Sequence, residues 1–495
     1  MLCSAFLLCA SLLGGPSFST GANDVTYLSS LDGTPLTGIV WLSPNFSPSA
    51  PARPLVIYLH AANHDATEMI TEPQLVAQLD VRNWIGFALN GRDLTPAACS
   101  WEYSAGYIDS PDVDIASAEQ DVLDAIDWIA SHLPVDADRI FLVGESMGGA
   151  GAGVIALKNP HRFAGVGMLA AVADMYDFVA RDLAVSCLTQ VMGGMPGDSL
   201  VVDTRFTSAS PRFLIENANN LAMYYGHGLL DLLTYNVPNT PQFQHGWHMT
   251  IDGGWSGCHS SGNYCFGHTP TQTELQALDP DGYEWAYQFT DVHHVLDPRW
   301  VTGTESNPNL FGTPDPADPN RLLGMFDFFE PRRRAVSPTK IVFKTYENQH
   351  ERAYWVRIAS TRPWENVPAA VRAVRNAGHT GVSLELARVA EVRVDLKAAG
   401  VRLGTRGALK VDVDRLVEPV YDPALDDSAE ALTPYIVLEG PVPSPRDVVV
   451  KQDGVTLSRA LLQVTPTEVR IGPISVTGPT SLEIYPKRIL TPFAQ

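Results

Sequence analysis

The sequence predicts an α/β domain, a mostly parallel sheet with helices on both faces, followed by a β-sandwich-like domain. Three observations carry this reading. Continuous apolar runs such as Leu55-Val56-Ile57-Tyr58-Leu59 mark strands buried on both faces. An amphipathic helical stretch precedes one such run, and a helix-compatible run follows it. Beyond Pro338 the texture changes to short period-two runs with no helices between them. A length of 495 residues also favours two domains.

Taken in order, Val25 to Leu42 alternates like an antiparallel hairpin with Asp32-Gly33 at its turn. Leu55 to Leu59 and Trp84 to Leu89 are core strands. Ile115, Ala118, Val122, Ile126, Ile129 and Leu133 recur at spacings of three and four, giving a helix before the strand Ile140 to Val143. Met147 to Lys158 is helix-compatible. Val166 to Ala170, Ala222 to Tyr225 and Tyr283 to Phe289 supply further strands, and Leu322 to Phe329 a helix. Residues 240–280 lose all periodicity, the mark of an insertion or functional loop. The expected boundaries are therefore 23–335 for the α/β domain and 336–495 for the β-rich domain. Its strands are read at Lys340 to Tyr346, Tyr354 to Ile358, Val392 to Leu396, Ala408 to Val413, Tyr435 to Leu438, Val448 to Val450, Val469 to Ile471 and Ser481 to Ile484. The Arg332-Arg333-Arg334 triplet between the domains reads as a solvated boundary.

Residues 1–22 hold no charged side chain and open on an apolar run, Leu2 to Leu13, with small residues up to Ala22. They read as a signal peptide, so the protein is expected to be secreted or periplasmic. Four cysteines follow, and an even count in an exported chain reads as two disulfides, Cys258 with Cys265 and Cys99 with Cys187. A net charge of −21 argues against nucleic acid or an anionic membrane as partner. His245, His248, His259 and His268 lie near Cys258 and Cys265, but their spacing matches no common zinc pattern. No metal and no cofactor are expected.

The chemistry concentrates at Gly144-Glu145-Ser146-Met147-Gly148. A serine hydroxyl is a weak nucleophile unless it is held at a sharp strand-to-helix turn beside a base and an oxyanion site, and flanking glycines let such a turn close. Ser146 is the expected nucleophile. Downstream, Asp231 falls just past a strand end and is the expected acid, with Asp174 as the alternative. The base is expected after the last sheet strand, at His294 or its neighbour His293; His227 reads as structural. The oxyanion hole needs two backbone N–H groups, one from Met147 and one from Ala61 or Ala62 in the loop after the Leu55 strand. Trp101, Tyr103, Trp247 and Trp255 are candidate substrate-binding aromatics, with core packing an equal alternative.

With His60-Ala61, Asp136-Ala137-Asp138-Arg139-Ile140 leading to the Ser146 pentapeptide and Gly149, and His227-Gly228-Leu229-Leu230-Asp231, the chain resembles secreted α/β-hydrolases over about residues 25–335. The nearest groups are prolyl oligopeptidase-like catalytic domains and feruloyl esterase or polyhydroxybutyrate depolymerase-like esterases. The resemblance implies the α/β-hydrolase fold and a Ser146–His294 (or His293)–Asp231 triad. In such families a glycine usually follows the loop histidine; here Ala61 stands there. The expected activity is hydrolysis of a small-molecule or polymeric carboxylic ester through an acyl-enzyme. A serine peptidase with the same triad is the first alternative, and a non-catalytic binding protein on a hydrolase fold the second. The β-rich domain is expected to shape the cleft or dock to a polymer.

Overall fold

The computed structural model describes residues 17–49, 51–91, 118–180, 188–189, 192–228, 255–258, 265–269, 275, 279–290, 295–303, 323–347, 352–363, 365–403, 408–416, 432–442 and 445–486. Strands β1 (Gly21–Leu28), β2 (Pro35–Leu42), β3 (Arg53–Leu59), β4 (Ile85–Leu89), β5 (Val135–Glu145), β6 (Gly165–Leu169) and β7 (Leu221–Gly228) lie in the first domain. A short hairpin, β8 (Trp255–Cys258) and β9 (Cys265–Thr269), precedes β10 (Tyr283–Thr290). The main sheet runs β1-β2-β4-β3-β5-β6-β7-β10. The β1–β2 and β2–β4 pairs are antiparallel, and every later pair is parallel. That reversal of order at β3 and β4, with helices between the parallel strands, is the α/β-hydrolase fold.

The apolar runs are continuous because alternate residues of one strand feed different cores. Leu55, Ile57 and Leu59 of β3 and Ile140 and Leu142 of β5 join one cluster. Val56, Tyr58, Phe141 and Val143 join the other. Helices α3 (Ala118–His132) and α4 (Met147–Lys158) cover the first face. Helix α2 (Pro73–Arg82), which follows the short α1 (Thr67–Thr71), covers the second. On that second face Trp84 stacks on Phe141 at 5.4 Å and Phe141 on Phe329 at 4.7 Å. The expected Asp32-Gly33 turn joins β1 to β2, with Gly33 at φ +75° and its N–H donating to Ser29 O. Phe18, inside the segment read as a signal peptide, packs edge-on against Trp128, and β1 already begins at Gly21.

The second domain is a sandwich of a seven-stranded and a six-stranded sheet around one core. Here the strands alternate, as in Lys340–Thr345 (β11), where Ile341 and Phe343 are buried between half-exposed lysines and Val342. Two central strands escaped the sequence reading, Ala369–Arg375 and Gly381–Ala387. Their alanines, arginines and serine carry little β-propensity, so packing between long neighbours decides their conformation.

The domains are joined at the amino ends of the main-sheet strands. Asn219 Oδ1 accepts from Val342 N, Asn217 Oδ1 from Lys344 N, and Tyr354 OH donates to Asn219 O and Asn220 O. The arginine triplet is no loose boundary: Arg334 pairs with Asp138 and donates to His161 O, and Arg332 pairs with Glu284. Lys158 Nζ meets Glu347 Oε1 at 3.3 Å, with 3% and 0% of the two side chains exposed. Breaking such a pair strands a buried charge. Lys158→Met should therefore cost about 3 kcal/mol in urea denaturation, and adding Glu347→Leu should recover most of it.

His161, at the same junction, is pushed down to about 3, first by burial and then by Arg352, Arg162 and Arg334. The fold thus prefers the neutral ring, and the unfolded chain binds a proton that the folded one rejects. Its contribution is complete above about pH 6.5 and is lost as pH falls toward about 3. His161→Gln should flatten stability against pH across that window, measured by urea titration at a series of pH values. An unchanged slope would refute it.

Candidate active site

Ser146 sits between the last residue of β5 and the first of α4, with φ +53° and ψ −114°. A side chain held there costs on the order of 1–3 kcal/mol, so surrounding contacts must enforce it. Ser146 N–H donates to Leu169 O at 2.8 Å, and Ser146 O accepts from Ala150 N at 3.0 Å. The glycines permit the approach. A Cβ on Gly144 would lie 2.2 Å from Gly148 O, and one on Gly148 would lie 2.1 Å from Leu59 O and 2.6 Å from His60 O. A Cβ on Gly149 would meet Leu169 O at 2.9 Å. Every residue of α4 is buried, which its small, apolar composition allows. The expected nucleophile therefore occupies a strained strand-to-helix elbow at the carboxyl edge of the sheet.

The same contacts bring the loop after β3 against the elbow, because Gly148 touches the backbone of Leu59 and His60. Met147 N–H lies in the first turn of α4, where amides lack an intrahelical acceptor and the helix dipole favours negative charge. Of the two candidates for the second donor, Ala61 is spoken for: its N–H donates to Glu68 Oε2 at 2.8 Å. That leaves Ala62, the other of the two, as the candidate beside Met147. Glu68 lies on α1, which the sequence reading did not single out. Burial raises its carboxyl above the usual range, against the opposing pull of the Ala61 N–H, His64 and His60.

Strand ends line up across this edge. Leu59 pairs with Gly144, Glu145 with Leu169, Leu169 with Gly226, and Gly226 with Gln288. The segments holding Asp231 and the His293-His294 pair begin one or a few residues past β7 and β10, and those three residues lie outside the described ones. Trp101, Tyr103, Trp247, Cys99 and Cys187 lie outside them too. Asp174, the alternative acid, is buried after β6, where Arg212 Nη1 meets its Oδ2 at 3.1 Å. His227 is buried in β7. In the insertion, Trp255 and Cys258 fall on β8 and Cys265 and His268 on β9, with Cys258 and Cys265 directly opposite each other in the ladder.

The elbow's geometry makes a sharp stability prediction. Gly148→Ala should lose at least roughly 2 kcal/mol in chemical denaturation, because its methyl group meets backbone that cannot yield. Gly478→Ala, with nothing within 4 Å, is the control that should leave stability unchanged.

Residues 124–242, which contain the elbow, match the family model described as putative esterase. Among solved structures, an S-formylglutathione hydrolase from Agrobacterium tumefaciens is similar at 14% identity and TM-score 0.39, over 57% of this chain and 91% of that one. An acylaminoacyl peptidase from Pyrococcus horikoshii matches at 13% and 0.38, over 58% of this chain and 39% of that one. A ferulic acid esterase matches at 15% and 0.36, over 56% and 93%. A search of curated protein sequences finds no match. The fold assignment stands on the strand order and the elbow: this is an α/β-hydrolase-fold chain whose elbow-bearing segment carries the esterase pattern.

Proposed function

We propose that the protein is a serine hydrolase that cleaves carboxylic esters through an acyl-enzyme on Ser146. The observation that carries this is the backbone of Ser146, held at φ +53° between β5 and α4. A structural turn could relax that strain; a nucleophile must present its hydroxyl at the sheet edge. The family match over 124–242 favours an ester over a peptide bond.

In this reading His294, or His293, removes the Ser146 proton as Oγ attacks the ester carbonyl. Asp231 orients the imidazole and stabilises its charge. The oxyanion is held by the Met147 and Ala62 amides. Its collapse expels the alcohol, which takes the proton from the imidazolium, and water then repeats the sequence to release the acid. Chain length supports the assignment. Asp231 stands three residues past the end of β7, and the two histidines three and four past β10. Each residue spans at most about 3.5 Å and neighbouring strands lie about 4.8 Å apart, so three or four residues together with the length of the side chain itself cover the two spacings from β7, or the three from β10, to β5.

The protein is further proposed to be exported and to carry a Cys258–Cys265 disulfide. The apolar amino-terminal run supports the first and the cross-strand pairing of the two cysteines the second. Four free thiols in the unfolded, non-reduced protein would refute the disulfides.

Short-chain p-nitrophenyl esters should be cleaved, and aminoacyl-p-nitroanilides much more slowly. Ser146→Ala should lower kcat by about 10⁴-fold or more and abolish fluorophosphonate labelling. Asp231→Asn should lose at least about 10²-fold, and Asp174→Asn little. Of the tandem pair, His294→Ala should be the inactive variant. Full activity in Ser146→Ala would sink the proposal.

A further inference from the structure

Resting on the hydrolase reading, we propose that Glu68 is a positioning residue for the oxyanion loop. Its carboxylate ties down the Ala61 amide, so that the following amide, Ala62, is the one turned toward Ser146. Glu68 is 6% exposed, on a five-residue helix directly after the loop. A buried carboxylate is costly unless its oxygens are occupied. Here Oε2 accepts the Ala61 N–H at 2.8 Å and Oε1 lies 3.1 Å from His64 Nδ1.

The rest of the loop is built to hold the same turn. His64 N–H donates to Ala61 O at 3.1 Å, Asn63 takes φ +66°, and Ala66 N–H donates to Asn90 Oδ1 at 2.7 Å. His60, 2% exposed, sets its two ring nitrogens 2.7 Å from Ala61 O and 3.1 Å from Asn90 O. Ala61 is therefore gripped at both its N–H and its C=O. The Ala61 C=O and the Ala62 N–H share one peptide plane, and the Ala61 N–H belongs to the plane before it, so the two grips together fix both planes and with them the Ala62 amide; an oxyanion donor misplaced by about 1 Å can cost on the order of 10²-fold. Glu68 needs to offer an oxygen at the right reach, and its charge is secondary.

That claim separates two conservative variants. Glu68→Gln keeps the reach and an acceptor oxygen while losing the charge. Glu68→Asp keeps the charge but is one methylene short of the Ala61 amide. On a p-nitrophenyl ester, Glu68→Gln should stay within about threefold of wild-type kcat. Glu68→Asp should fall about 30-fold or more, with KM within about threefold for both. Hydrogen exchange across residues 60–66 should speed up in Glu68→Asp alone. A charge role predicts the opposite order, so Glu68→Asp matching or exceeding Glu68→Gln overturns the proposal; a packing role alone lowers stability in Glu68→Asp and leaves kcat unchanged. A kcat loss absent from both, or a change confined to KM, also overturns it. If wild-type protein neither cleaves esters nor labels with a fluorophosphonate, it is the hydrolase reading that fails, while the exchange comparison still tests the grip on the loop.

Discussion

The contact of Gly148 with the backbone of Leu59 and His60 is the constraint on which the site depends. It presses the first turn of α4 against the end of β3 so closely that no β-carbon fits between them. Gly144, two residues ahead of the serine, meets Gly148 O from the other side. Between these two glycines the chain must reverse from strand to helix in one residue, and Ser146 takes the strained backbone angles that result. Strain at a single residue persists only where its neighbours over-determine it. Here they do so through the β5–β6 ladder, the Leu169 carbonyl and a helix with no exposed face. The same approach places the loop after β3 and Ser146 side by side, so one packing contact sets two positions of the proposed site.

The second domain bears on this arrangement from the opposite end. Helix α4 spans roughly 17 Å at 1.5 Å per residue, with Ser146 at its start and Lys158 at its close. Lys158 meets Glu347, and Asp138, His161, Asn217, Asn219 and Asn220 all make their contacts at the amino ends of strands. Asn366 makes a further contact, its N–H donating to Thr204 Oγ1 and its Oδ1 accepting from Thr207 Oγ1. The β-rich domain therefore acts as a brace under the sheet. Among the described residues it also meets the helix Leu200–Ser208, which carries Thr204 and Thr207.

The elbow and the sheet were legible because they obey local rules. Val56 and Ile57 are adjacent in sequence but feed opposite cores, and such a strand reads as an unbroken apolar run. Gly144 and Gly148 stand where backbone meets backbone, and that spacing is short-range. The strands Ala369–Arg375 and Gly381–Ala387 were not legible, since their residues accept a strand only between established neighbours. The arginine triplet was misread for a similar reason: charge in a row looks solvated until the fold supplies Glu284, Asp138 and the His161 carbonyl. Ala61 against Ala62 was undecidable from sequence. The two differ only in which amide the seventh residue onward, Glu68, has already taken.

A carboxylate behind an oxyanion hole is at first sight a poor choice. A full negative charge at roughly 7 Å from a developing oxyanion, with an effective dielectric near 20, opposes it by about 2 kcal/mol. One feature reduces that cost. Burial raises the Glu68 carboxyl and draws it toward the neutral acid, against the opposing pull of the Ala61 N–H, His64 and His60. A neutral carbonyl oxygen held at the same place would still accept the Ala61 N–H. The reach of the side chain from α1 is thus the property the loop requires, and the charge is a burden that burial diminishes.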